Sequence, residues 1–258
     1  MKKLLAGVPA LVLVGISLWE IIAAWRSDRS VPGDDAWRDA AQIVRAEYRA
    51  GDLIVFAPDW IDPVGRMHLG DLMPIATVAR MDSARYSRIW ELSIRGARSP
   101  DVAELASVAT TLAGGVTVRR FERAGVSVVD DLVSHRPTTN GLSPTLELAE
   151  VGFAPHRCFM VTPQPGQPVR MTFAPFQFGS SLVGYVGLAD VFTRRDVREP
   201  GTLSVQIGGR AVATVRAGVD DGWVRFAVAT SPGTGELAFV ASASAPQRKI
   251  CFAAEARR

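Results

Sequence analysis

The pattern of hydrophobic and polar positions divides the chain into three stretches, of which the first is largely apolar. Residues 4–25 form an apolar run with one charged residue, Glu20, and Lys2 and Lys3 precede the run. As a helix that rises about 1.5 Å per residue, this run is long enough to cross a hydrocarbon core of about 30 Å. We therefore expect residues 1–33 to contain a transmembrane helix and a linker.

The charges around the apolar run predict its orientation. Lysines lie on its amino side and a mixture of arginine and aspartate lies on its carboxyl side, which predicts a cytoplasmic amino terminus. The rest of the chain is then periplasmic and anchored by a single pass through the inner membrane. Two alternatives stay open: a buried helix of a soluble domain, and a signal peptide cleaved near Ala23 and Ala24.

Residues 34–140 alternate helical and strand patterns and predict a small α/β domain. A helix that begins at Asp34 or Asp35 has apolar residues at three- and four-residue steps and ends at Gly51. A second helical stretch is expected near "DSARYSRI", and Ser99 and Pro100 predict the start of a third. The apolar face of this third helix comprises Val102, Leu105, Ala109 and Leu112.

Buried strands are expected between these helices. The candidate segments are "DLIVFA", "RIWELSI" and the two halves of "GVTVRRFERAGVSVVDDL", which flank a turn at residues 123–125. Because strands alternate with helices, we expect a layered α/β domain with a partly parallel sheet.

Residues 141–258 show short alternating runs that glycine and proline separate, without a helical pattern. Leu203, Val205 and Ile207 alternate with polar residues, and Gly208-Gly209 supplies a two-residue hairpin turn. Many short antiparallel strands at this spacing predict a β-sandwich of the jelly-roll kind. The predicted fold class is therefore α+β: an amino-terminal helix, an α/β domain and a β-sandwich.

The two cysteines, Cys158 and Cys251, lie in strand-like runs of the predicted sandwich. In an oxidising compartment such a pair usually forms a disulfide, and we expect one here, with two buried free thiols as the alternative. The histidines show no ligand spacing with each other or with either cysteine, so we expect no metal site.

The chemistry that can be assigned from motifs is limited. A net charge of +3, with arginines scattered among acidic residues, makes nucleic acid an unexpected partner. The chain has no GxSxG motif, P-loop, dinucleotide fingerprint, HExxH motif or calcium loop. We therefore expect no cofactor and assign no catalytic residue.

One polar cluster, "PDWIDPVGRMHLGD", follows the first predicted strand, where ligands of open α/β sheets bind. Carboxylates, an arginine, an imidazole and an indole in one segment could bind a sugar or a sugar phosphate. The alternative is structural: the two aspartates beside Pro58 and Pro63 cap turns, and Arg66 pairs with Asp71. The candidate ligand-binding residues are Asp59, Trp60, Asp62, Arg66, His68 and Asp71.

A second group of candidates lies in the predicted sandwich. Arg194 and Arg195 are expected in a loop after the strand that continues through residues 184–188, and Trp223 and Arg225 on the outward side of another strand. Trp223 could stack on a sugar ring. The alternative is that the arginines keep a sheet edge from pairing and that the tryptophan shields its own sheet.

The segment "DDAWRDAAQIVRAEYRAGDLIVFAPDWIDPVGRMHLGD" after a membrane helix resembles an extracytoplasmic region of certain membrane glycosyltransferases. These are the protein-mannosyltransferase and aminoarabinose-transferase types, which use lipid-linked sugars and contain many membrane helices. This chain has one predicted membrane helix and no early acidic loop, so the resemblance implies a detached accessory domain. The second half resembles galactose-binding-like carbohydrate modules.

The sequence thus favours a non-catalytic, membrane-anchored accessory protein that binds glycans or lipid-linked sugars at the cell envelope. One alternative is a sugar transferase or hydrolase that uses Asp59, Asp62 or His68. Another is a structural partner that its membrane helix holds against a membrane glycosyltransferase.

Overall fold

The computed structural model describes residues 8–29, 31–189 and 199–258. The chain forms two compact units that are interleaved along the sequence. The first unit comprises Met1–Met73 and Arg88–Arg123, and the second comprises Pro74–Ser87 and Ala124–Arg258. Each unit therefore consists of two separate segments of chain.

The first helix, α1, runs from Val8 to Arg29, and its apolar side chains between Val12 and Trp25 are exposed. Over the described residues, no helix has both the length and the apolar character needed to cross a membrane. The orientation of this segment and its cleavage as a signal peptide stay predictions.

The next helix, α2 (Asp34–Glu47), confirms the prediction from its periodicity. Its buried residues recur at three- and four-residue steps and face the sheet of the first unit; they are Ala36, Trp37, Ala40, Ala41 and Val44. The helix ends before Tyr48, whose hydroxyl donates a hydrogen bond to the Leu72 carbonyl at 3.0 Å. Gly51, with φ of 94°, lies in the turn that follows.

The sheet of the first unit is mixed, as its sequence predicts. Its strands are β1 (Leu53–Ala57), β2 (Arg88–Ser93), β3 (Ser107–Ala113) and β4 (Val116–Glu122), in the order β1-β2-β4-β3. β1 and β2 are parallel, whereas the other neighbours are antiparallel. Every residue of β1 and β2 is buried. This explains the continuous apolar run of β1, whereas β2 also buries Arg88, Glu91 and Ser93.

The helix predicted after Ser99 is wrong. Ser99 does cap a turn, since its hydroxyl accepts a hydrogen bond from the Asp101 amide, but the turn is a single 3-10 turn over Pro100–Val102. The chain then enters β3, because β-branched residues and the Gly114-Gly115 turn favour a hairpin with β4.

The helix predicted over "DSARYSRI" is also absent. The Asp82 carboxylate accepts a hydrogen bond from the Ala84 amide at 3.0 Å, which gives the backbone a turn in place of a helix. The helices nearby are α3 (Asp62–Leu69) and α4 (Ile75–Val78).

The second unit confirms the predicted antiparallel β-sandwich. Its strands are β5 (Val128–Asp131), β6 (Thr138–Thr139), β7 (Thr145–Val151), β8 (Ala154–Val161), β9 (Val169–Phe178), β10 (Ser181–Ala189), β11 (Gly201–Ile207), β12 (Arg210–Ala217), β13 (Val224–Ala229), β14 (Gly233–Ala243) and β15 (Lys249–Arg257). One sheet has the order β13-β10-β15-β8-β7, with β5 also paired to β15, and the other has the order β12-β11-β14-β9-β6.

The core of this unit lies between the two sheets. Phe159 and Phe252 of the first sheet pack against Phe173 and Phe239 of the second, with ring centroids 5.4 Å and 4.9 Å apart in the two cross-sheet pairs. All four rings are buried. Alternation along each strand places these side chains inward, as the sequence pattern predicts.

Two details of connectivity complete the fold. The strands on either side of residues 123–125 exist, but they do not pair as neighbours: β4 belongs to the first unit and β5 to the second. Cys158 on β8 and Cys251 on β15 form the expected disulfide. This bridge joins neighbouring strands across a sequence separation of 93 residues.

Candidate functional site

The predicted cluster of the first unit lies where β1 ends. The Ile94 amide donates a hydrogen bond to the Ala57 carbonyl at 3.0 Å, so the carboxyl ends of the parallel strands β1 and β2 lie side by side. A 3-10 turn over Asp59–Ile61 follows directly and leads into α3. The polar cluster therefore starts at the edge of the sheet where its sequence position predicts it.

Buried contacts fix the turn and α3 against β1. Ile61 and Leu69 are fully buried. A Cβ atom at Gly65 would overlap the ring of Phe56, so a side chain at this position would push α3 away from the strand. This close approach is the reason for a glycine in the middle of a short helix.

Trp60 points away from this core. Its side chain is 59% exposed, and the guanidinium carbon of Arg95 lies 5.9 Å from the centre of its ring. This distance is within the range of a cation–π contact. Arg95 follows β2 and has a φ of 55°, a left-handed conformation that is uncommon for arginine. The indole and the guanidinium thus come from the ends of two neighbouring strands.

The charged members of the cluster pair within the unit. Arg66 Nε lies 2.5 Å from Asp62, and His68 Nε2 lies 3.3 Å from an oxygen of Asp34. Asp71 accepts two hydrogen bonds from Arg45, at 2.7 Å and 2.6 Å.

The Arg66–Asp71 pair of the structural alternative does not form. Arg66 lies four residues after Asp62 on α3, one helical turn away, which brings these two side chains together. Hydrogen bonds from Arg45 lower the pKa of Asp71. Asp59 is exposed beside Trp60.

The candidates of the second unit have a different setting. Trp223 lies directly before β13, and its ring stacks on His156 with centroids 4.2 Å apart and planes at 11°. Its Nε1 donates a hydrogen bond to the Ala154 carbonyl at 2.8 Å. The indole is half-buried against its own sheet, while Arg225 on β13 is exposed. Arg194 and Arg195 lie outside the described residues, and the roles of all four in binding stay predictions.

A polar cluster on the outer face of the six-stranded sheet was missed from the sequence. Arg257 donates hydrogen bonds to both carboxylate oxygens of Asp82, each at 3.0 Å, and its Nε donates to Glu255 at 3.0 Å. The Tyr185 hydroxyl lies 3.4 Å from Asp82. The available signal was Glu255 and Arg257, two positions apart in an apolar strand, which places both on one face.

The environment of these groups shifts their ionisation. Burial raises the pKa of Glu255, against the opposing effect of Arg257. Burial also acts to raise the pKa of Asp82, but the hydrogen bonds and charge of Arg257 outweigh it and lower that pKa. Burial lowers the pKa of His156 to about 4, and the positive charge of Arg80 contributes. His156 is therefore neutral at physiological pH, as is appropriate for an imidazole stacked under an indole.

This second cluster is built as a structural network. The fork of Arg257 is filled by two carboxylates of the same unit, and the neutral His156 packs between Trp223 and Tyr185. Among the described residues, no three side chains of histidine, cysteine, aspartate or glutamate are grouped so as to hold a metal ion.

Comparisons with known proteins give no family. No protein-family model and no curated protein match the chain. Among solved structures, the chain is similar to the CBM51-2 and INT domains of Clostridium perfringens ZmpB in complex with GlcNAc, at 11% identity and a TM-score of 0.42. That match covers 65% of this chain and 40% of the other.

Two further similar structures are single modules. One is CBM51 from Clostridium perfringens GH95 in complex with methyl-galactose, at 9% identity and a TM-score of 0.31, covering 60% of this chain and 97% of the module. The other is the carbohydrate-binding module CBM6cm-2 of Cellvibrio mixtus lichenase 5A in complex with cellotriose, at 15% identity and a TM-score of 0.30, covering 51% and 98%.

The similar structures named above are thus carbohydrate-binding modules or contain one. Their TM-scores are low, so the likeness carries no argument about the ligand or activity of this chain. The resemblance of the first half to membrane glycosyltransferases finds no support in these comparisons.

Proposed function

We propose that this protein is a non-catalytic glycan-binding protein and that the surface around Trp60 contacts the sugar. The observation that supports it is the exposed indole, which a short turn presents at the carboxyl ends of two parallel strands. Arg95 lies near its ring, Asp59 precedes it in the chain, and the Asp62–Arg66 pair follows in α3. Sugar sites commonly combine an aromatic face with a few polar groups in this way.

The chemistry of a pyranose fits this surface. The C–H groups on one side of a sugar ring can pack on the indole, while its hydroxyl groups can donate to the carboxylates and accept from the guanidinium groups. Buried Ile61 and the close contact between Gly65 and Phe56 hold the turn in place. A platform that is rigid before binding loses little conformational entropy when the ligand arrives.

Trp60 is a better platform than Trp223. One face of the Trp223 ring is covered by His156, and its Nε1 is occupied by the Ala154 carbonyl. Trp60 is more than half exposed, and Arg95 is the cation over its ring.

The pairing of Asp62 supports a binding function over catalysis by this carboxylate. General acid–base catalysis needs a side chain that can reach a substrate proton and exchange it. Asp62 faces Arg66, so its carboxylate is already paired within the unit. The contact between His68 and Asp34 does not favour either function, because a histidine beside an aspartate also occurs in catalytic sites.

We also propose that the protein acts outside the cytoplasm, held at the membrane by its amino-terminal segment. The disulfide supports an oxidising compartment, and the exposed apolar side chains of α1 support an apolar environment around that segment. Protease protection of intact spheroplasts and amino-terminal sequencing of the mature protein would distinguish an anchor from a cleaved signal. A membrane-linked sugar is the ligand class that such an anchor would bring closest.

The first prediction concerns Trp60→Ala. We expect the full-length protein to bind at least one member of a panel of envelope polysaccharides and polyprenyl-phosphate sugars, as measured by calorimetry in detergent. Trp60→Ala should weaken that binding at least about tenfold, equivalent to about 1.4 kcal/mol, and Trp60→Phe should weaken it less. The thermal midpoint should not change, because the ring is exposed.

Trp223→Phe is the matched control, since it keeps an aromatic ring against His156 and should leave binding unchanged. Full binding by Trp60→Ala, or a loss confined to Trp223→Phe, would reject the surface around Trp60. Appearance of a cleaved or transferred sugar in mass spectra of the incubated panel would reject the non-catalytic function.

A further inference from the structure

The turn and the helix that follow β1 carry an apolar stripe on their exposed side. Trp60 is 59% exposed, Val64 38% and Met67 81%. These three positions follow one another at a four-residue and a three-residue step, so they lie along one side of the turn and of α3. Ile61 and Leu69, on the other side, are fully buried. We call Trp60, Val64 and Met67 the α3 stripe.

Two polar pairs border the α3 stripe. Arg66 Nε lies 2.5 Å from Asp62, and His68 Nε2 lies 3.3 Å from an oxygen of Asp34. Exposed apolar side chains that are grouped together and rimmed by polar residues mark surfaces that contact another protein or a membrane. The position of the stripe in the chain distinguishes these two kinds of partner.

The α3 stripe is tethered to α1. Both belong to the same unit, and the four residues 30–33 separate α1 from α2. Because an extended chain spans at most about 3.6 Å per residue, Asp34 lies no more than about 18 Å from Arg29. His68, the residue after Met67, contacts Asp34. The fold therefore keeps α3 beside the residue with which the tether ends.

We propose that the α3 stripe lies on the surface of the lipid bilayer that holds α1. The proposal rests on the proposed attachment of α1 to a membrane, but it does not depend on glycan binding. Once one part of a protein is attached, a second contact forms within the same complex, at an effective concentration on the order of millimolar for a short linker. A stripe of three side chains can then dock, although it is too small to bind a separate protein tightly. This condition favours the bilayer as the partner.

The three side chains suit the layers of a bilayer surface. Tryptophan is enriched at the level of the headgroups, where its ring contacts both apolar and polar groups. Val64 and Met67 would contact the upper part of the acyl chains, and the flexible thioether of methionine adapts to irregular surroundings. A sugar that a lipid carries as its headgroup would reach Trp60 from the same side. The ligand class of the surface around Trp60 would then be a lipid-linked sugar.

The experiment places one fluorescent label at a time on the full-length protein in phosphatidylcholine vesicles that contain nitroxide-labelled acyl chains. The labelled variants are Met67→Cys, Ile16→Cys on α1 and Asp39→Cys on the exposed polar side of α2. Cys158 and Cys251 are buried and bonded to each other, so they do not react with the label. The nitroxide should quench the labels at residues 16 and 67 but not the label at residue 39. Iodide in the water should quench only the label at residue 39.

A charge on the α3 stripe tests the contact itself. Val64→Asp, introduced into the Met67→Cys protein, should remove most of the quenching by nitroxide and restore quenching by iodide, because a carboxylate is costly to transfer out of water. Gln42→Asp adds the same charge at an exposed position of α2 and is the matched control. It should change neither kind of quenching.

The outcomes separate this proposal from the proposed function. Nitroxide quenching at residue 16 without quenching at residue 67 would overturn the contact of the α3 stripe and leave the attachment of α1 in place. Absence of quenching at both residues would overturn the attachment and the contact together. Equal nitroxide quenching at residues 39 and 67, or undiminished quenching in the Val64→Asp variant, would also overturn the contact. Calorimetry with Trp60→Ala tests glycan binding separately.

Discussion

His156 is one residue through which pH acts on the stability of the sandwich. Burial lowers its pKa to about 4 in the folded protein, whereas the pKa of a histidine in an unfolded chain is about 6.5. The unfolded chain therefore binds more protons between these two values. The contribution of His156 to the free energy of unfolding is therefore at its maximum above the unfolded pKa. It declines as the pH falls toward the folded pKa and is constant below that value.

We predict that the free energy of unfolding of the wild type falls by about 2 kcal/mol more than that of His156→Phe between about pH 7.5 and about pH 5. Phenylalanine keeps a ring stacked on Trp223 but takes up no proton. Urea unfolding at a series of pH values measures both proteins. Because the two share every carboxylate, Glu255 and Asp131 with their raised pKa included, the difference isolates His156. Parallel pH curves would contradict the prediction.

At the residue scale, the sequence identifies polar side chains that could bind a ligand. It does not show which of these side chains already pair with other residues of the protein. Asp59 to Asp71 could be identified because they follow an apolar strand. Their partners could not: Arg45 lies on α2 and reaches Asp71 only because α2 packs beside α3 in the folded unit. Likewise, the alternation around Trp223 predicts an outward ring, but the stacking on His156 depends on a strand far away in sequence.

At the scale of elements, the disulfide is the covalent link between β8 and β15. It closes a loop with a sequence separation of 93 residues, for which the chain-entropy estimate of stabilisation is about 4–5 kcal/mol. Both sulfurs are buried in an apolar cluster with Ala149 and Ala253, so alanine suits both positions.

We predict that the double variant Cys158→Ala, Cys251→Ala keeps the native circular dichroism spectrum and loses several kcal/mol of unfolding free energy, up to the estimate of about 4–5. Urea unfolding under oxidising conditions measures the loss. Repeating it with a reductant provides the control, since the variant should not respond. A loss below about 1 kcal/mol would contradict the prediction and would mean that the disulfide contributes little to the stability of the folded protein.

The elements themselves were predictable where one periodicity dominates. The helix α2 and the buried strands β1 and β2 show a clear pattern, and so do the alternating strands of the sandwich. The pattern failed in residues 99–112, where apolar spacings fit a helix as well as a strand. There the pairing of β3 with β4 decides the outcome, and pairing across a hairpin is not visible in the spacing of one segment.

At the scale of the whole chain, the sequence did not predict that residues 74–87 belong to the sandwich unit. This segment lies along the outer face of the six-stranded sheet. The Arg157 amide donates to the Ala79 carbonyl at 3.1 Å, and the Val126 amide donates to the Ala84 carbonyl at 3.0 Å. Such contacts join positions far apart in sequence, and no local pattern in "DSARYSRI" indicates them.

The contacts of this segment show what the sandwich would lose without it. Asp82 pairs with Arg257, whose side chain is 6% exposed, and Met81 packs on the apolar cluster around the disulfide. Arg257 also pairs with Glu255, so it keeps one carboxylate partner when Asp82 is lost. Residues 124–258 expressed alone would leave Arg257 without Asp82 and expose that apolar cluster.

We therefore predict that residues 124–258 alone unfold at lower urea concentration than a protein in which residues 74–87 are joined to Ala124 by a short glycine linker. The linker can be short, because a Cβ atom on Gly125 would lie 2.7 Å from the Arg85 carbonyl oxygen, so the two ends are adjacent. The joined protein should be the more stable by about 1–2 kcal/mol, the order expected when one apolar side chain such as Met81 is largely buried. Asp82→Ala in the joined protein should remove part of that gain, since it leaves the segment in place but breaks its ion pair with Arg257. Equal urea midpoints for residues 124–258 and the joined protein would contradict the prediction, because they would mean that residues 74–87 add no stability to the sandwich.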